Sequence, residues 1–260
     1  MQKEHIERLF SKVAVSYDRL SGFHQKTAKD LLGQIHLSHD FSGNILDVGM
    51  GTGWLTKKMQ KQFLNANVFG LDFSKGMLHS ARKNNLNIQL IQGDASCLPF
   101  KEDSFDLIVS NLVYQWIEKL EEAFCSCYSS LNQKGILLFS LFGHNTFKEL
   151  FESLENSFKK RYPKKDFVID RLAKKKCITQ ALSRAGFKNI EIKGEEVMLA
   201  FEDMIGLIRW IKGIGANALS RDFFVGKELL LQANNYYKSN FKEQGKVFAS
   251  LEVIWVEARK

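Results

Sequence analysis

Between residues 44 and 141 short apolar runs rich in β-branched residues alternate with segments whose apolar positions recur at helical spacing. The runs at 45–48, 68–71, 88–91, 107–109 and 136–139 are each bounded by turn or capping residues. Continuous apolar strands separated by helices predict an α/β fold with a doubly wound, mostly parallel, Rossmann-like sheet, buried on both faces. Ligands of such sheets bind at the carboxyl ends of the strands. Local chemistry accounts for the breaks: glycines at 49–53 after the first strand, Asp72 and Ser74 capping a helix after the second, and Gly93-Asp94 after the third.

The pattern changes on either side of this core. Ile6, Leu9, Phe10 and Val13 follow a helical spacing, and a second helix is expected around 27–35. Together they predict a helical arm over residues 1–40 that covers the edge or mouth of the sheet. Past Leu141, the positions of Leu150, Phe151, Leu154 and Phe158 predict a lysine-rich amphipathic helix within an insertion at 143–176. The remainder, 177–260, reads as a helix at 179–185 closed by Gly186, a strand at 190–192, helices at 203–211 and 228–237, and a last strand at 247–256. The whole chain, 1–260, is expected to form one domain with a seven-stranded sheet and a helical cap.

Composition supports one sizeable core, since 45% of the 260 residues are hydrophobic. The net charge of +8 is uneven: nine Lys or Arg face three Asp or Glu between Glu155 and Lys176. That cluster can steer an acidic partner, whether nucleic acid, anionic lipid or an acidic protein, or can be a solvated helical face. Cys97, Cys125, Cys127 and Cys177 are too few and too irregular for a disulfide framework and have no zinc-type spacing, so reduced thiols and no metal are expected. The charged start, Met1 to His5, is not followed by the apolar stretch of a signal peptide, and no run is long enough to span a bilayer. These features predict a cytoplasmic protein.

The candidate chemistry lies at the strand ends. A dinucleotide fingerprint spaces its glycines as Gly-x-Gly-x-x-Gly. In Gly49-Met50-Gly51-Thr52-Gly53 the third glycine comes one residue early, and Trp54 takes the later position. Asp47, just before the loop, would repel a pyrophosphate and attract a cationic sulfonium amino acid, which favours S-adenosylmethionine over a nicotinamide dinucleotide. Asp72, at the end of the second strand, can accept from both ribose hydroxyls, and Asp94 from the adenine amino group. Phe73 and Met77 can wall the adenine, and Asn111 opens the reaction mouth.

Residues 45–56, 70–77, 93–100 and 104–111 resemble class I methyltransferases. More particularly, Phe10 to Asp18, Ser110 to Trp116 and Leu207 to Asn217 are similar to the malonyl-acyl-carrier-protein O-methyltransferases of biotin synthesis. The resemblance implies transfer of a methyl group from S-adenosylmethionine to the free carboxylate of malonyl-acyl carrier protein, giving a methyl ester that primes pimeloyl formation. It implies cofactor contacts from Tyr17 as a lid, Gly49, Met50, Gly51, Gly53, Ala95 and the acidic series, and an acyl entrance lined by Tyr114, Gln115, Trp116 and Asn217. An ionised carboxylate needs no general base, so alignment rather than acid–base catalysis is expected. Arg209, then Lys212, are the candidates to bind the malonyl carboxylate, unless Arg209 is simply an exposed helix residue. The acidic carrier is expected to meet basic residues such as Lys174, Lys175 and Lys176. Methylation of a small molecule or quinone precursor is the alternative. A nucleic-acid substrate lacks support, because no basic and aromatic residues interleave. Met50, where a smaller residue is usual, and the lysine-rich insertion depart from the family pattern.

Overall fold

Alternate residues within each central strand supply the two faces of one sheet. In a computed structural model, which describes residues 3–38, 40–84, 88–167, 172–216 and 226–260, Ile45 of β1 (Asn44–Val48) joins one apolar cluster and Leu46 the other. Leu107 and Val109 of β4 (Phe105–Asn111) divide from Ile108 in the same way. This period-two division buries both faces and fixes the register, because a one-residue slip would exchange the two sets.

With β2 (Asn67–Asp72), β3 (Gln89–Gln92), β5 (Leu131–Phe142), β6 (Lys188–Phe201) and β8 (Lys246–Arg259), the strands run in the order β3-β2-β1-β4-β5-β8-β6. β3, β2, β1, β4 and β5 pair in parallel with one another, whereas β8 is antiparallel to both β5 and β6. The seven expected strands are therefore present, with a two-residue β7 (Lys242–Glu243) pairing with β8 in addition. The order reverses between β1 and β4, which opens a crevice at their carboxyl ends.

Helices α3 (Gly22–Leu32) and α4 (Trp54–Gln62) cover one face through Leu31, Leu55 and Met59, while α6 (Leu120–Ser130) and α8 (Lys175–Arg184) cover the other through Phe124 and Leu182. The arm is thus divided. α3 is part of the core, and only α1 (Lys3–Val13) and α2 (Tyr17–Leu20) lie at the surface, without a buried residue of their own.

The lysine-rich segment is two-faced. Leu150, Phe151 and Leu154 of α7 (Lys148–Arg161) share a cluster with Leu229, Ala233 and Tyr237 of α10 (Lys227–Asn240). Buried Glu149 accepts hydrogen bonds from the Ser250 amide and hydroxyl, fastening α7 to β8. Its outward cations are partly matched, Lys148 by Glu196, Lys159 by Glu155 and Arg161 by Glu228. The helix expected from Thr179 begins earlier: Lys174 is its extended cap, so Lys175 and Lys176 belong to α8 rather than to the insertion.

Candidate active site

The glycine turn after β1 is set by two hydrogen bonds, from the Gly49 and Met50 amides to the Leu71 carbonyl at 2.7 and 3.0 Å. Gly49 and Gly51 have φ of +70° and +58°, a region that disfavours any residue with a Cβ. A Cβ at Gly49 would lie 2.3 Å from Val113, whereas one at Gly51 would meet nothing within 4 Å, because it would enter an open cavity. The Gly51 amide donates to Asp72 Oδ2 at 2.8 Å, and the Ser74 amide to Asp72 Oδ1 at 2.8 Å. The acidic end of β2 thereby orients the end of β1.

The cavity, of about 440 Å³, runs along the ends of β1 to β4. Gly49, Gly51, Asp72, Phe73, Met77, Asp94, Ala95, Asn111, Trp116 and Tyr17 all line it. Its roof comes from the arm, through Lys3, Ile6, Phe10 and Tyr17. Phe10 meets Trp116 edge to face, at a centroid distance of 5.5 Å. Hydrogen bonds hold the arm down, among them one from Thr52 Oγ1 to Asp18 Oδ1 at 2.5 Å and one from the Gly76 amide to Ser11 Oγ at 3.0 Å. Lys3 pairs with Asp94, which also accepts from the Ser96 amide and hydroxyl. Partial burial alone would raise the Asp94 pKa, but Lys3 and Ser96 outweigh it and hold the carboxyl below its ordinary value. For Tyr17, burial and then the charges of Asp72 and Asp18 push the phenol well above its usual range, so it stays protonated and able to donate.

Asp47, Met50 and Gly53 stand behind this lining. The Met50 side chain packs with Leu78 and Ala81, away from the cavity, and Gly53 caps the start of α4. Asp47 is buried and accepts from Thr56 Oγ1 at 2.5 Å. Burial, against the Thr56 hydrogen bond and with the charge of Asp72 adding to it, pushes its carboxyl up to about 7. A carboxyl whose folded-state pKa is raised stabilises the fold at pH values below its ordinary 3.8, and that contribution is lost as pH rises through about 7. Asp47→Asn keeps an acceptor for Thr56 without the charge. It is expected to raise the Tm of the ligand-free protein at pH 8 by a few degrees, and calorimetry at a series of pH values should show the gain shrinking towards pH 4 to 5.

The acyl-entrance trio does not share a wall. Residues 114–116 form one 3-10 turn, and three residues per turn send three side chains in three directions. Tyr114 is fully buried beneath the sheet against Phe124 and Phe139, its hydroxyl 3.1 Å from Cys127 Sγ, and is not a pocket residue. Gln115 Nε2 turns back to the Leu112 carbonyl, leaving Trp116 alone in the cavity wall. Arg209 and Lys212 are exposed on α9 (Met204–Gly213), whose inner face is Met204, Leu207 and Ile211, and neither lines the cavity. Asn217 lies outside the described residues. Sequence reasoning passed over Lys3, Ile6 and Phe10 as lining residues, although the helical spacing of Ile6 and Phe10 gave a signal.

Comparison with known proteins agrees with this geometry. A methyltransferase-domain family model matches residues 46–139. The chain is 34% identical to a malonyl-acyl-carrier-protein O-methyltransferase of Xylella fastidiosa, over 96% of this chain and 85% of that protein. It is 30% identical to one of Acetivibrio thermocellus, over 100% of this chain and 95% of that one. Among solved structures, the YcgJ protein of Bacillus subtilis superimposes with a TM-score of 0.62 at 17% identity, covering 90% of this chain and 98% of that one. Haemonchus contortus phosphoethanolamine N-methyltransferase 2, in complex with S-adenosyl-L-methionine, gives a TM-score of 0.59 at 19% identity over 96% of this chain and 57% of that one. At these identities the two structures establish a shared fold.

Proposed function

The chain belongs to the malonyl-acyl-carrier-protein O-methyltransferase family and is an S-adenosylmethionine-dependent O-methyltransferase, and we propose that its acceptor is the free carboxylate of a malonyl thioester carried on acyl carrier protein. The observation that carries this reading is similarity over nearly the whole length of chain and relatives, beyond the shared methyltransferase core. The product would be the methyl ester that primes pimeloyl synthesis, in the cytoplasm.

The residues present fit the methyl donor. The open space over Gly51 admits its amino-acid portion, Asp72 keeps lone pairs for the ribose hydroxyls, and Phe73, Met77 and Ala95 offer apolar contact to the base beside Asp94. When bound, S-adenosylmethionine supplies an electrophilic methyl group. The acceptor carboxylate attacks as it stands, since its pKa of roughly 4 leaves it ionised at neutral pH and no proton has to move. What the protein contributes is alignment of that oxygen and exclusion of water, through the glycine turn below and Ile6, Phe10 and Tyr17 above.

Lys174, Lys175 and Lys176 are exposed at the start of α8 and form no ion pair among the described residues. The Leu172 carbonyl meets His144 just past β5, so this segment lies by the carboxyl end of that strand. The carrier is proposed to dock there, with the exposed Arg209 and Lys212 fitting contact with the carrier better than a grip on the buried carboxylate. One assay tests acceptor and docking together. Labelled S-adenosylmethionine is offered with malonyl-acyl carrier protein, malonyl-CoA and a quinone precursor, to wild type and to the triple variant Lys174→Glu, Lys175→Glu, Lys176→Glu. Wild type is expected to label the carrier-bound malonate, and the variant to raise its KM roughly tenfold at low salt and less at high salt. Label only in the quinone precursor would overturn the acceptor. A variant equal to wild type at low salt would overturn the docking site.

A further inference from the structure

Behind Tyr17 and Asn111, which line the cavity, stands a half-buried group with no role in the motifs. His24, in the first turn of α3, is ringed by Tyr17, Phe23, Phe142 and Trp210 at centroid distances of 5.9, 6.3, 5.9 and 6.3 Å. Its backbone is pinned to the end of β4: Asn111 Nδ2 donates to the His24 carbonyl at 3.1 Å, while Ser140 donates to Asn111 Oδ1. Its side chain is different. Nδ1 is buried and has no hydrogen-bond partner among the described residues. Native proteins leave few such atoms, because each has given up its hydrogen bond to water without a replacement, so an orphan beside a ligand cavity calls for a partner that arrives with the ligand.

The ring's surroundings define that partner. Burial lowers the imidazole pKa to about 4, so at neutral pH the ring is uncharged and carries one N–H. Tyr17, its edge-to-face neighbour, lines the cavity and keeps its own proton. The two candidate cations for an acidic acceptor, Arg209 and Lys212, are both exposed, whereas the His24 ring packs against Tyr17, which lines the cavity. We propose that His24 donates a hydrogen bond to the carboxylate of the methyl acceptor and selects acceptors that carry one. The inference rests on the malonyl reading and assigns the residue that reads the carboxylate.

A neutral donor suits this reaction. A guanidinium fork would engage both carboxylate oxygens and withdraw charge from the attacking atom. A single imidazole N–H fixes one oxygen and leaves the lone pairs of the other for the methyl carbon. The aromatic ring of side chains around His24 excludes the water that would otherwise solvate that oxygen.

The test compares malonyl-carrier with acetyl-carrier, which lacks the carboxylate, on enzyme saturated with S-adenosylhomocysteine. Wild type is expected to bind the malonyl form at least roughly tenfold more tightly, the worth of one hydrogen bond to a charged group. His24→Leu should bring the two within about twofold without changing the Kd for S-adenosylmethionine, and His24→Gln, which keeps a donor, should restore part of the preference. On the unmodified enzyme, the ring 15N resonances of His24 should move on adding malonyl-carrier and not acetyl-carrier. A wild-type preference that survives in His24→Leu, or ring resonances indifferent to malonyl-carrier, overturns the role of His24 and leaves the acceptor standing. No preference in wild type overturns the acceptor and the inference together. Equal loss of S-adenosylmethionine binding in both variants reduces His24 to a structural residue.

Discussion

Asp72→Asn is expected to leave the protein folded and to weaken S-adenosylmethionine binding roughly a hundredfold, from the loss of two charge-assisted hydrogen bonds worth about 1.5 kcal/mol each. The geometry leaves an amide little room to compensate. Both carboxylate oxygens already accept a backbone N–H, from Gly51 and from Ser74, each at 2.8 Å. In the asparagine variant an NH₂ must face one of those donors, so the variant loses a contact of the glycine turn as well as its grip on a ribose hydroxyl. Titration calorimetry at pH 8 checks the magnitude, and a loss of less than tenfold would remove Asp72 from the cofactor site. The pH profile supplies a second check. Burial pushes the Asp72 carboxyl up to about 6, the amides of Ser74, Gly51 and Phe73 opposing it. Wild-type affinity should therefore decline as pH falls through 6, while Asp72→Asn stays flat. Acid unfolding through this residue does not explain such a decline: with a raised pKa, protonating Asp72 favours the folded state, so its contribution to stability grows as pH falls below 6.

That Asp72 could be singled out from the sequence, while His24 and the buried state of Tyr114 could not, has a physical cause. Central strands bury both faces and therefore read as continuous apolar runs, and the parallel order follows from the helices between them. Carboxylates at the ends of those runs stand at the crevice whatever the rest of the chain does. β6 shows where this logic stops: only 190–192 read as strand, yet it spans Lys188–Phe201. Lys193, Glu195 and Glu196 occupy its middle because it is the last strand of the sheet, and charge on an exposed edge discourages pairing with other chains. In the same way, the lysines of α7 announce a basic surface and conceal the apolar face that docks on α10. Side-chain direction inside a 3-10 turn, and the meeting of residue 24 with residue 111, depend on tertiary packing that neither periodicity nor spacing encodes.

The sequence predicts an arm over the mouth of the sheet but not the contact that closes it, and that contact gives the second large expected effect. Gly76→Ala should lift α1 from the cavity without disturbing the sheet. Gly76 is in the first turn of α5 (Lys75–Lys83), where alanine favours the helix itself. A Cβ there, however, would lie 2.6 Å from Ser11 Cα and 2.7 Å from its carbonyl oxygen. Those are backbone atoms, so rotating a side chain relieves nothing and the arm has to move. Movement breaks the bond from the Gly76 amide to Ser11 and withdraws Ile6 and Phe10, with Lys3, from the roof. The dissociation rate of S-adenosylmethionine is expected to rise roughly tenfold or more, and kcat to fall as water reaches the acceptor. Stopped-flow dissociation measures the first, and limited proteolysis should show faster cleavage near Val15, already 93% exposed. Ser11→Ala, which removes the hydroxyl and leaves the close approach intact, should produce only a small part of the effect. If Gly76→Ala leaves the off-rate unchanged, the arm does not retain the cofactor. The unburied character of α1 then has a different meaning: a helix held by polar contacts, from Lys3 to Asp94, the Lys75 amide to Glu7 and the Gly76 amide to Ser11, and with no buried residue of its own, is held weakly enough to open on each turnover, which a lid must do to exchange product for fresh donor.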